Sequence, residues 1–363
     1  MLKIAHIDTG QRLGGGQWQL LLLARQLRTR GHEQWIACPQ GSALELRARE
    51  EGFHVRTLPA HDPGHVRGAF QLRRILKTDR LDIVHAHDGR GQSIAWISSA
   101  RTGVRRVASR RVTFLPRWRT LHRLKYRYTC DAVIAVSNYV KGLLLGCGVP
   151  GGMIEVIYDG IVIPERLPDA EKRAAARRKW GFSDRDFVIG SLGAFRPGKG
   201  QETAVQAAGL VRARDEIKWL FTVDPCSAPE TRRFPMLIGS RHFRAVHAPE
   251  DPSEFLSALD LYVMPSPAEG LGSSALLAMA HGLPVAASRA GGLPEIVQDG
   301  KTGWLFAPGS APELAEVVVR ALQDSEERQR FGVNASCLAR EFSDVIMASR
   351  TEALYLKLCA GLQ

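Results

Sequence analysis

The stretch that decides the fold is PSPAEGLGSSALLAMAHGLPVAASRAGGLPEIVQDGKTGWLF, residues 265–306. It combines an acidic residue, a glycine-rich turn, a run of small apolar residues and a second glycine pair. Glycines let backbone N–H groups approach a ligand closely, and the N-terminus of a following helix favours an anion. The pattern predicts a phosphate-binding turn at Gly270–Ser274, a helix over Ala275–Ala280 that Ser273 or Ser274 can cap, and a strand over Val285–Ala287. The alternative is an ordinary strand–loop–helix–strand unit of an α/β sheet.

Strand and helix signals alternate on both sides of this stretch. In the first half, short apolar strands such as Lys3–Asp8 and Asp82–His87 alternate with helical patterns such as Trp18–Arg30. The alternation restarts with a strand at Phe187–Leu192 and a helix over Glu202–Arg214, and it reaches the decisive stretch through a strand at Leu261–Met264. Short strands separated by helices predict an α/β protein with a parallel, doubly wound sheet in each half.

Length and composition indicate a folded protein of two domains. The chain has 363 residues, 45% of them hydrophobic, which is enough for two sizeable cores. It contains no apolar run of membrane-spanning length, and its N-terminus lacks an apolar stretch of signal-peptide length. Its 6 cysteines are scattered without metal-ligand spacing, which is typical of free thiols in a reducing compartment. We therefore expect a cytoplasmic protein.

The excess positive charge lies entirely in the first half. Residues 1–165 contain 25 Lys and Arg against 13 Asp and Glu, whereas residues 166–363 contain 24 of each class. The net charge of +12 therefore belongs to the first half. A one-sided basic domain suggests a polyanionic partner such as an anionic membrane, a phosphorylated glycolipid or nucleic acid. A soluble arginine-rich surface without such a partner is the alternative.

The sequence EGLGSSALLAMAHGLPVAAS, which begins at Glu269, and GGLPEIV, which begins at Gly291, together resemble the donor-site signature of family-4 retaining glycosyltransferases with the GT-B fold. The resemblance implies two Rossmann-like, doubly wound domains that face a cleft. Residues 1–164 would form the acceptor-side domain and residues 165–342 the donor domain. Residues 343–363 would form a helix that returns to the first domain.

The resemblance also implies a function. The protein would move a sugar from a nucleotide-diphosphate sugar to a glycan or lipid-linked acceptor, in polysaccharide or lipopolysaccharide synthesis. Glu269 would contact the transferred sugar, and Lys199, with Arg196, would neutralise the leaving diphosphate. The remaining donor-binding candidates are Gly15, Gly16, Gly270, Leu271, Gly272, Ser273, Ser274 and Leu277. No metal and no cofactor are expected, because a lysine and a helix N-terminus supply the positive charge.

The chain departs from the family pattern at several positions. Leu277 stands where the family has a glutamate that accepts hydrogen bonds from the ribose, and Ala194 stands where it has an arginine. Gln17 replaces an acidic residue after the first glycines. Two alternatives therefore stay open: a catalytically weakened GT-B-like protein that binds a nucleotide sugar or glycan, and another GT-B activity such as an epimerase or phosphorylase.

The motif His85-Ala86-His87-Asp88 ends a predicted strand of the first half. Ligands of open α/β sheets bind beyond the carboxyl ends of the strands. His87 and Asp88 are therefore candidates for contact with the acceptor or the sugar, with a structural role as the alternative. His85 is expected to be a structural histidine. A metal site is not expected, because no further cluster of ligands is evident in the sequence.

The segment FLPRWRTLHRLKYRY, residues 114–128, combines basic and aromatic residues. On a helix, Phe114, Trp118 and Tyr128 would lie near one face, while three arginines spaced by four residues would form a stripe. The stripe consists of Arg119, Arg123 and Arg127. Such a helix is typical of a peripheral protein on the inner face of the cytoplasmic membrane. A helix packed on its own domain is the alternative, and no RNA-binding fold signature supports a nucleic-acid partner.

Overall fold

The structure, a computed structural model, describes residues 1–59, 66–114, 119–193, 198–223, 242–249 and 251–360. The chain divides into two compact units. The first unit comprises Met1–Gly160 together with Ser343–Gln363, and the second comprises Ile161–Phe342. Each unit is built on its own parallel sheet.

The first unit contains a seven-stranded sheet with the strand order β3-β2-β1-β4-β5-β6-β7. Its strands are β1 (Lys3–Ile7), β2 (Glu33–Pro39), β3 (His54–Leu58), β4 (Ile83–Ala86), β5 (Arg105–Arg110), β6 (Ala132–Ala135) and β7 (Ile154–Val156). Every pairing between these strands is parallel. The carboxyl ends of the strands therefore lie at one edge, which is where ligands of such sheets bind.

Helices connect these strands. They are α1 (Gly15–Thr29), α2 (Ala43–Glu50), α3 (Val66–Thr78), α4 (Gly89–Ser99), α5 (Arg119–Thr129) and α6 (Asn138–Gly146), and a 3₁₀ turn, Gly151–Met153, precedes β7. Three of the helices begin at a short polar side chain that accepts a hydrogen bond from the first turn: Ser42, Asp88 and Ser137. These caps fix where each helix begins, and they satisfy N–H groups that have no partner within the helix.

The second unit repeats the arrangement with six parallel strands in the order β10-β9-β8-β11-β12-β13. Its strands are β8 (Phe187–Ser191), β9 (Ile217–Val223), β10 (Phe243–His247), β11 (Leu261–Met264), β12 (Val285–Ser288) and β13 (Gly303–Phe306). Its helices are α7 (Ala170–Lys179), α8 (Gln201–Leu210), α9 (Pro252–Ser257), α10 (Ser273–Ala280), α11 (Leu293–Ile296), α12 (Ala311–Gln323) and α13 (Ser325–Ala339), followed by a 3₁₀ turn, Arg340–Phe342. Stacked aromatic rings, Trp219 on Phe221 and Phe221 on Phe243, fill the core beside β9.

The last helix, α14 (Asp344–Ala360), packs against α1 in the first unit. Tyr355 on α14 is fully buried there. Gly160, in the segment after β7, lets that segment approach the start of α14, because a Cβ at this position would lie 2.5 Å from the Cα of Asp344. The predicted architecture of two Rossmann-like domains with a C-terminal helix returning to the first is therefore confirmed.

Three predicted helix boundaries are wrong. Helix α1 begins at Gly15, because the Gln17 side chain accepts from the Gly14 N–H and satisfies that donor at the start of the helix. Helix α8 ends at Leu210 rather than Arg214, and the chain tightens there into an i to i+3 turn. Helix α5 begins at Arg119, so Phe114 precedes the helix and does not belong to its face.

Candidate functional site

An ion pair lies at the carboxyl edge of the second sheet. Lys199 precedes α8, Glu269 follows β11, and Lys199 Nζ lies 2.7 Å from Glu269 Oε1. The Ser266 hydroxyl donates to the same carboxylate oxygen at 3.0 Å. The Glu269 side chain is 12% exposed, whereas that of Lys199 is 46% exposed. The carboxylate is therefore fixed, and the ammonium faces solvent and is available to an anion.

The second glycine pair of the decisive stretch supports the turn that carries Glu269. A Cβ at Gly291 would lie 2.0 Å from the Glu269 carbonyl oxygen, and one at Gly292 would lie 2.3 Å from the Gly270 carbonyl oxygen. The Gly292 N–H also donates to the Glu269 carbonyl at 3.0 Å. Only glycines allow this close packing of two backbones. These two glycines therefore let their backbone pack against Glu269 and Gly270 and fix the position of that turn.

Helix α10 begins directly after this turn. Its N-cap is Gly272, at φ 105°, and no side chain caps the helix. The prediction that Ser273 or Ser274 caps it is therefore wrong, because both lie inside its first turn. An N-terminus without a side-chain cap keeps backbone N–H groups available for an anion. Leu271 is 2% exposed and can offer a ligand only its backbone.

Leu277 lies one turn further along α10 and is partly buried. Its backbone carbonyl accepts from His281 Nδ1 at 2.8 Å, and burial lowers the pKa of His281. Its own side chain carries no polar atom. The other departure from the family pattern, Ala194, lies outside the described residues, as does Arg196.

The first unit holds its glycine-rich segment in a different way. Gly15 and Gly16 form the first turn of α1, and Gln17 Nε2 donates to Asp8 Oδ1 at 2.7 Å. Asp8 follows β1 and is 1% exposed. Burial, and then the negative charge of Asp88, raise the pKa of the Asp8 carboxyl. Gln17 therefore replaces an acid at a place where a second carboxylate would repel Asp8.

Three histidines meet behind this edge. His6 on β1 pairs in register with His85 on β4, and His87 follows two residues later. His85 is bonded to the Tyr355 hydroxyl and the Ser109 hydroxyl, so its predicted structural role is confirmed. His6, which the sequence analysis did not single out, joins the pair because adjacent parallel strands bring it there. Strand register was the signal that would have identified it.

A directed chain of hydrogen bonds runs through His6 and His87. His6 Nε2 donates to Gln34 Oε1 at 2.7 Å, which leaves His6 Nδ1 to accept from His87 Nε2 at 3.1 Å. His87 Nδ1 then accepts from the Arg111 guanidinium at 3.3 Å. Burial lowers the pKa of His6 to about 4 and that of His87 well below its usual value, so both rings are neutral.

The three histidines do bring their ring nitrogens within 4.8 Å of one another, as a metal site would require. Each ring nitrogen is nevertheless engaged in a hydrogen bond, and a guanidinium cation adjoins His87. A metal ligand needs a free lone pair on nitrogen. The arrangement therefore fits a neutral hydrogen-bonded network better than a metal centre.

The two predicted acceptor residues occupy different positions. His87 is 5% exposed and lies behind Arg111, whose guanidinium also pairs with Asp159 at 2.9 Å. Asp88 caps α4 and accepts from the Thr9 N–H at 3.1 Å. It also lines a groove of about 550 Å³ at the edge of the first sheet. The other residues that line this groove are Thr9, Gly10, Gly89, Arg90, Ser93 and Lys125.

The predicted membrane-surface residues lie in and before α5. Arg119 is the first residue of the helix, Arg123 and Arg127 are exposed, and Trp118 lies outside the described residues. Tyr126, rather than Tyr128, packs into the protein, since Tyr128 is 60% exposed and Tyr126 only 4%. Across the described part of the chain, no helix combines the length and apolar character needed to cross a bilayer.

Comparison with known proteins places these features in a family. The model for Glycosyltransferase Family 4 matches residues 13–163, and the model for Glycosyl transferases group 1 matches residues 172–336. The N-acetyl-alpha-D-glucosaminyl L-malate synthase of Bacillus anthracis is 25% identical over 353 residues, which cover 92% of this chain and 91% of that protein. A GDP-mannose-dependent alpha-(1-6)-phosphatidylinositol monomannoside mannosyltransferase of Mycolicibacterium smegmatis is 28% identical over 358 residues, 92% of each protein.

Solved structures share the fold. Anabaena HepE, crystallised with UDP and glucose, superposes with a TM-score of 0.87 at 20% identity, covering 98% of this chain and 100% of that one. The architecture is that of the GT-B glycosyltransferases, with one Rossmann-like sheet in each unit. Since the two family models together span most of its length, the chain belongs to the glycosyltransferases of family 4 and group 1.

Proposed function

We propose that this protein is a retaining glycosyltransferase that acts without a metal ion. It moves a sugar from a nucleotide-diphosphate donor to a glycan or lipid-linked acceptor. The observation that carries the proposal is the Lys199–Glu269 pair, which places an exposed ammonium and a fixed carboxylate beside the uncapped N-terminus of α10. We infer that the anomeric configuration is retained, because the donor-site signature resembles that of the family-4 retaining glycosyltransferases.

The chemistry follows from where charge develops. As the bond between sugar and diphosphate breaks, negative charge grows on the leaving phosphate. The N–H groups of the first turn of α10 are oriented before the reaction to stabilise that charge, and Lys199 stabilises it once its ammonium has turned from Glu269 to the phosphate. Glu269, held by Ser266, accepts hydrogen bonds from the sugar hydroxyls and fixes the orientation of the ring. In the free protein Lys199 pairs with Glu269, so the incoming diphosphate has to draw the ammonium away from the carboxylate.

The donor is a uridine or guanosine diphosphate sugar in this proposal. One relative is named as GDP-mannose-dependent, and HepE was crystallised with UDP and glucose. Leu277 offers the ribose no carboxylate, so hydroxyl recognition of the ribose falls to other groups. The base and the sugar are therefore the first unknowns to resolve.

The acceptor is presented at the inner face of the cytoplasmic membrane in this proposal, as in cell-envelope polysaccharide or lipopolysaccharide synthesis. The excess basic charge lies in the first half of the chain, and α5 exposes Arg123, Arg127 and Tyr128 there. Attraction of such a surface to anionic lipid would bring the enzyme to a lipid-linked acceptor. One relative is named for a phosphatidylinositol mannoside acceptor, which supports the proposal of a lipid-linked acceptor.

A two-step experiment tests the proposal. A panel of nucleotide-diphosphate sugars is first screened for a rise in the melting temperature, because a ligand of the folded state stabilises it. The donors that stabilise the protein are then incubated with lipid-linked and soluble glycan acceptors in the presence of a chelator, and the product linkage is read by NMR. Transfer with retained anomeric configuration is expected. Inversion, or complete dependence on a divalent ion, would contradict the proposal.

Leu277 favours a second candidate, a weakened relative that binds a nucleotide sugar without turning it over. The same experiment separates the two candidates, since the weakened protein would show thermal stabilisation without product. An epimerase or a phosphorylase would be recognised by its products, an epimerised nucleotide sugar or a sugar phosphate.

A further inference from the structure

Two buried hydroxyls hold the chain where it leaves β8. The Gly193 N–H donates to Thr222 Oγ1 at 2.8 Å, and Thr222 Oγ1 donates to the Gly193 carbonyl at 3.1 Å. The Leu192 N–H donates to the Tyr262 hydroxyl at 3.1 Å, and that hydroxyl donates to the Leu192 carbonyl at 3.3 Å. Each hydroxyl therefore both accepts from and donates to one residue of the turn.

The two hydroxyls reach this turn from opposite sides. Thr222 lies on β9 and Tyr262 on β11, and these are the two neighbours of β8 in the sheet. Their exposures are 1% and 0%, respectively. Gly193 adopts φ 139°, so the chain departs from strand geometry just where the hydroxyls hold it. Burial raises the pKa of Tyr262 to about 12, and hydrogen bonds that include one with Ser274 oppose the shift.

The far end of the same loop is held as well. The Ser266 hydroxyl, which donates its hydrogen to Glu269, also lies 3.3 Å from the Lys199 carbonyl oxygen and makes a longer, shared contact with it. A Cβ at Gly200 would lie 1.9 Å from the Pro265 carbonyl oxygen, so the backbone passes directly against the strand end that leads to Glu269. Leu192, Gly193, Lys199 and Gly200 are thus each in contact with a neighbouring strand or strand end, and residues 194–197 lie outside the described part of the chain.

We propose that Thr222 and Tyr262 are positioning residues for the donor diphosphate. They hold the backbone of Leu192 and Gly193 where the chain leaves β8, at the same carboxyl edge of the sheet that carries Lys199 and Glu269. Buried strand positions of parallel sheets usually carry apolar side chains, and an unbonded buried hydroxyl would be destabilising. Hydroxyls at both flanking positions, each bonded twice to the same turn, fix backbone geometry that apolar side chains would leave free. The inference rests on the proposed function, because it assumes that Lys199 binds the diphosphate.

Isosteric variants test the role of each hydroxyl. Thr222→Val and Tyr262→Phe remove the hydroxyl and keep the volume, whereas Thr222→Ser keeps the hydroxyl. Matched controls come from the first unit, where Thr351 and Tyr355 are equally buried and hydrogen-bonded: Thr351→Val and Tyr355→Phe. Dissociation constants for UDP and GDP are measured by calorimetry and melting temperatures by scanning, and the KM for the donor is compared with kcat.

A loosened loop should weaken nucleotide-diphosphate binding about tenfold in Thr222→Val and in Tyr262→Phe. The donor KM should rise more than kcat falls, and Thr222→Ser should bind nearly as the wild type does. The two controls should lose thermal stability to a similar degree with unchanged affinity. Unchanged affinity in Thr222→Val and Tyr262→Phe, or equal loss in the controls, would overturn the inference while leaving the proposed function intact. A wild-type protein that binds neither UDP nor GDP would overturn both.

Discussion

The two sheet edges of this protein use charge in opposite ways. In the second unit, Lys199 and Glu269 form a pair whose ammonium is 46% exposed, at the start of a helix that no side chain caps. In the first unit, His6, His85 and His87 are buried, neutral and bonded on both ring nitrogens. Parallel sheets of the same type therefore support either a solvent-exposed charge or a buried network of hydrogen-bonded neutral side chains. What decides between them is burial, because both sets of side chains have partners inside their unit but only the Lys199 ammonium faces solvent.

The histidine network allows the largest predicted effect, a loss of stability in acid. The folded pKa of His6 is about 4 and the unfolded value about 6.5. The unfolded chain therefore binds more protons between these values. The contribution of neutral His6 to the free energy of unfolding is fully present above pH 6.5 and is lost as the pH falls toward 4. The free energy of unfolding of the first unit should drop by about 3 kcal/mol between pH 7 and pH 4.

Hydrogen exchange of the β1 and β4 amides, corrected for intrinsic rates, measures this drop within the first unit. His6→Gln keeps a donor and an acceptor but cannot titrate, so it should reduce the pH dependence of the opening free energy. If the wild type and His6→Gln showed the same dependence, the network would not be the source of acid sensitivity.

The exposed pair of the second unit is tested by Lys199→Ala. Loss of a charge-assisted contact should weaken nucleotide-diphosphate binding by roughly 1.5–3 kcal/mol, measured by calorimetry. Lys179→Ala is the matched control, because Lys179 forms an equally short ion pair, with Glu254 at 2.6 Å, in the same unit. Equal affinity in Lys199→Ala and Lys179→Ala would remove Lys199 from the donor site.

The charge contrast between the halves predicts where a membrane would bind. Neutralising Arg123 and Arg127 to Gln should reduce partitioning to anionic vesicles by about 2 kcal/mol, since each basic residue near such a surface contributes about 1 kcal/mol. Arg178→Gln with Arg212→Gln, two exposed arginines of the second unit, is the control. Co-sedimentation at two salt concentrations decides the matter. Equal pelleting on neutral vesicles, or no difference between the two double variants, would exclude docking through α5.

The smallest effect is expected at Leu277. Leu277→Glu supplies a carboxylate at the position where the family holds the ribose, and it should tighten nucleotide binding by about 1 kcal/mol. Leu210→Glu, at an exposed position on α8, controls for added negative charge. A folded Leu277→Glu protein with unchanged affinity would mean that other groups already hold the ribose.

Much of the second-unit site was predictable from local sequence. Glu269, the glycines that follow it and helix α10 lie within a single stretch, and turn chemistry and helix propensity are local properties. Lys199 was predicted only through the family resemblance, and the structure places its ammonium 2.7 Å from Glu269. The role of Ser273 and Ser274 was predicted wrongly, because Gly272, in a left-handed conformation, is the N-cap and α10 begins at Ser273 rather than Ala275.

The first-unit network was much less predictable. His85 and His87 stood out as a motif, but Arg111, which contacts His87, and Asp159, which pairs with Arg111, follow other strands and come together only through the order of the sheet. The hydroxyls of Thr222 and Tyr262 gave no local signal either, because threonine and tyrosine are ordinary residues in strands. Contacts between residues distant in sequence depend on which strands are neighbours and in which register.

The sequence alone determined the alternation of strands and helices, the two-domain organisation, the basic first half and the acidic glycine-rich turn. Each of these depends on local propensity, hydrophobic periodicity or composition, which a linear chain carries explicitly. Only the tertiary structure decided that the histidines of the first unit are neutral and hydrogen-bonded on both ring nitrogens, and that Lys199 stays exposed beside Glu269. Burial and partner geometry set the charge and availability of a side chain, and both arise only when distant strands lie side by side.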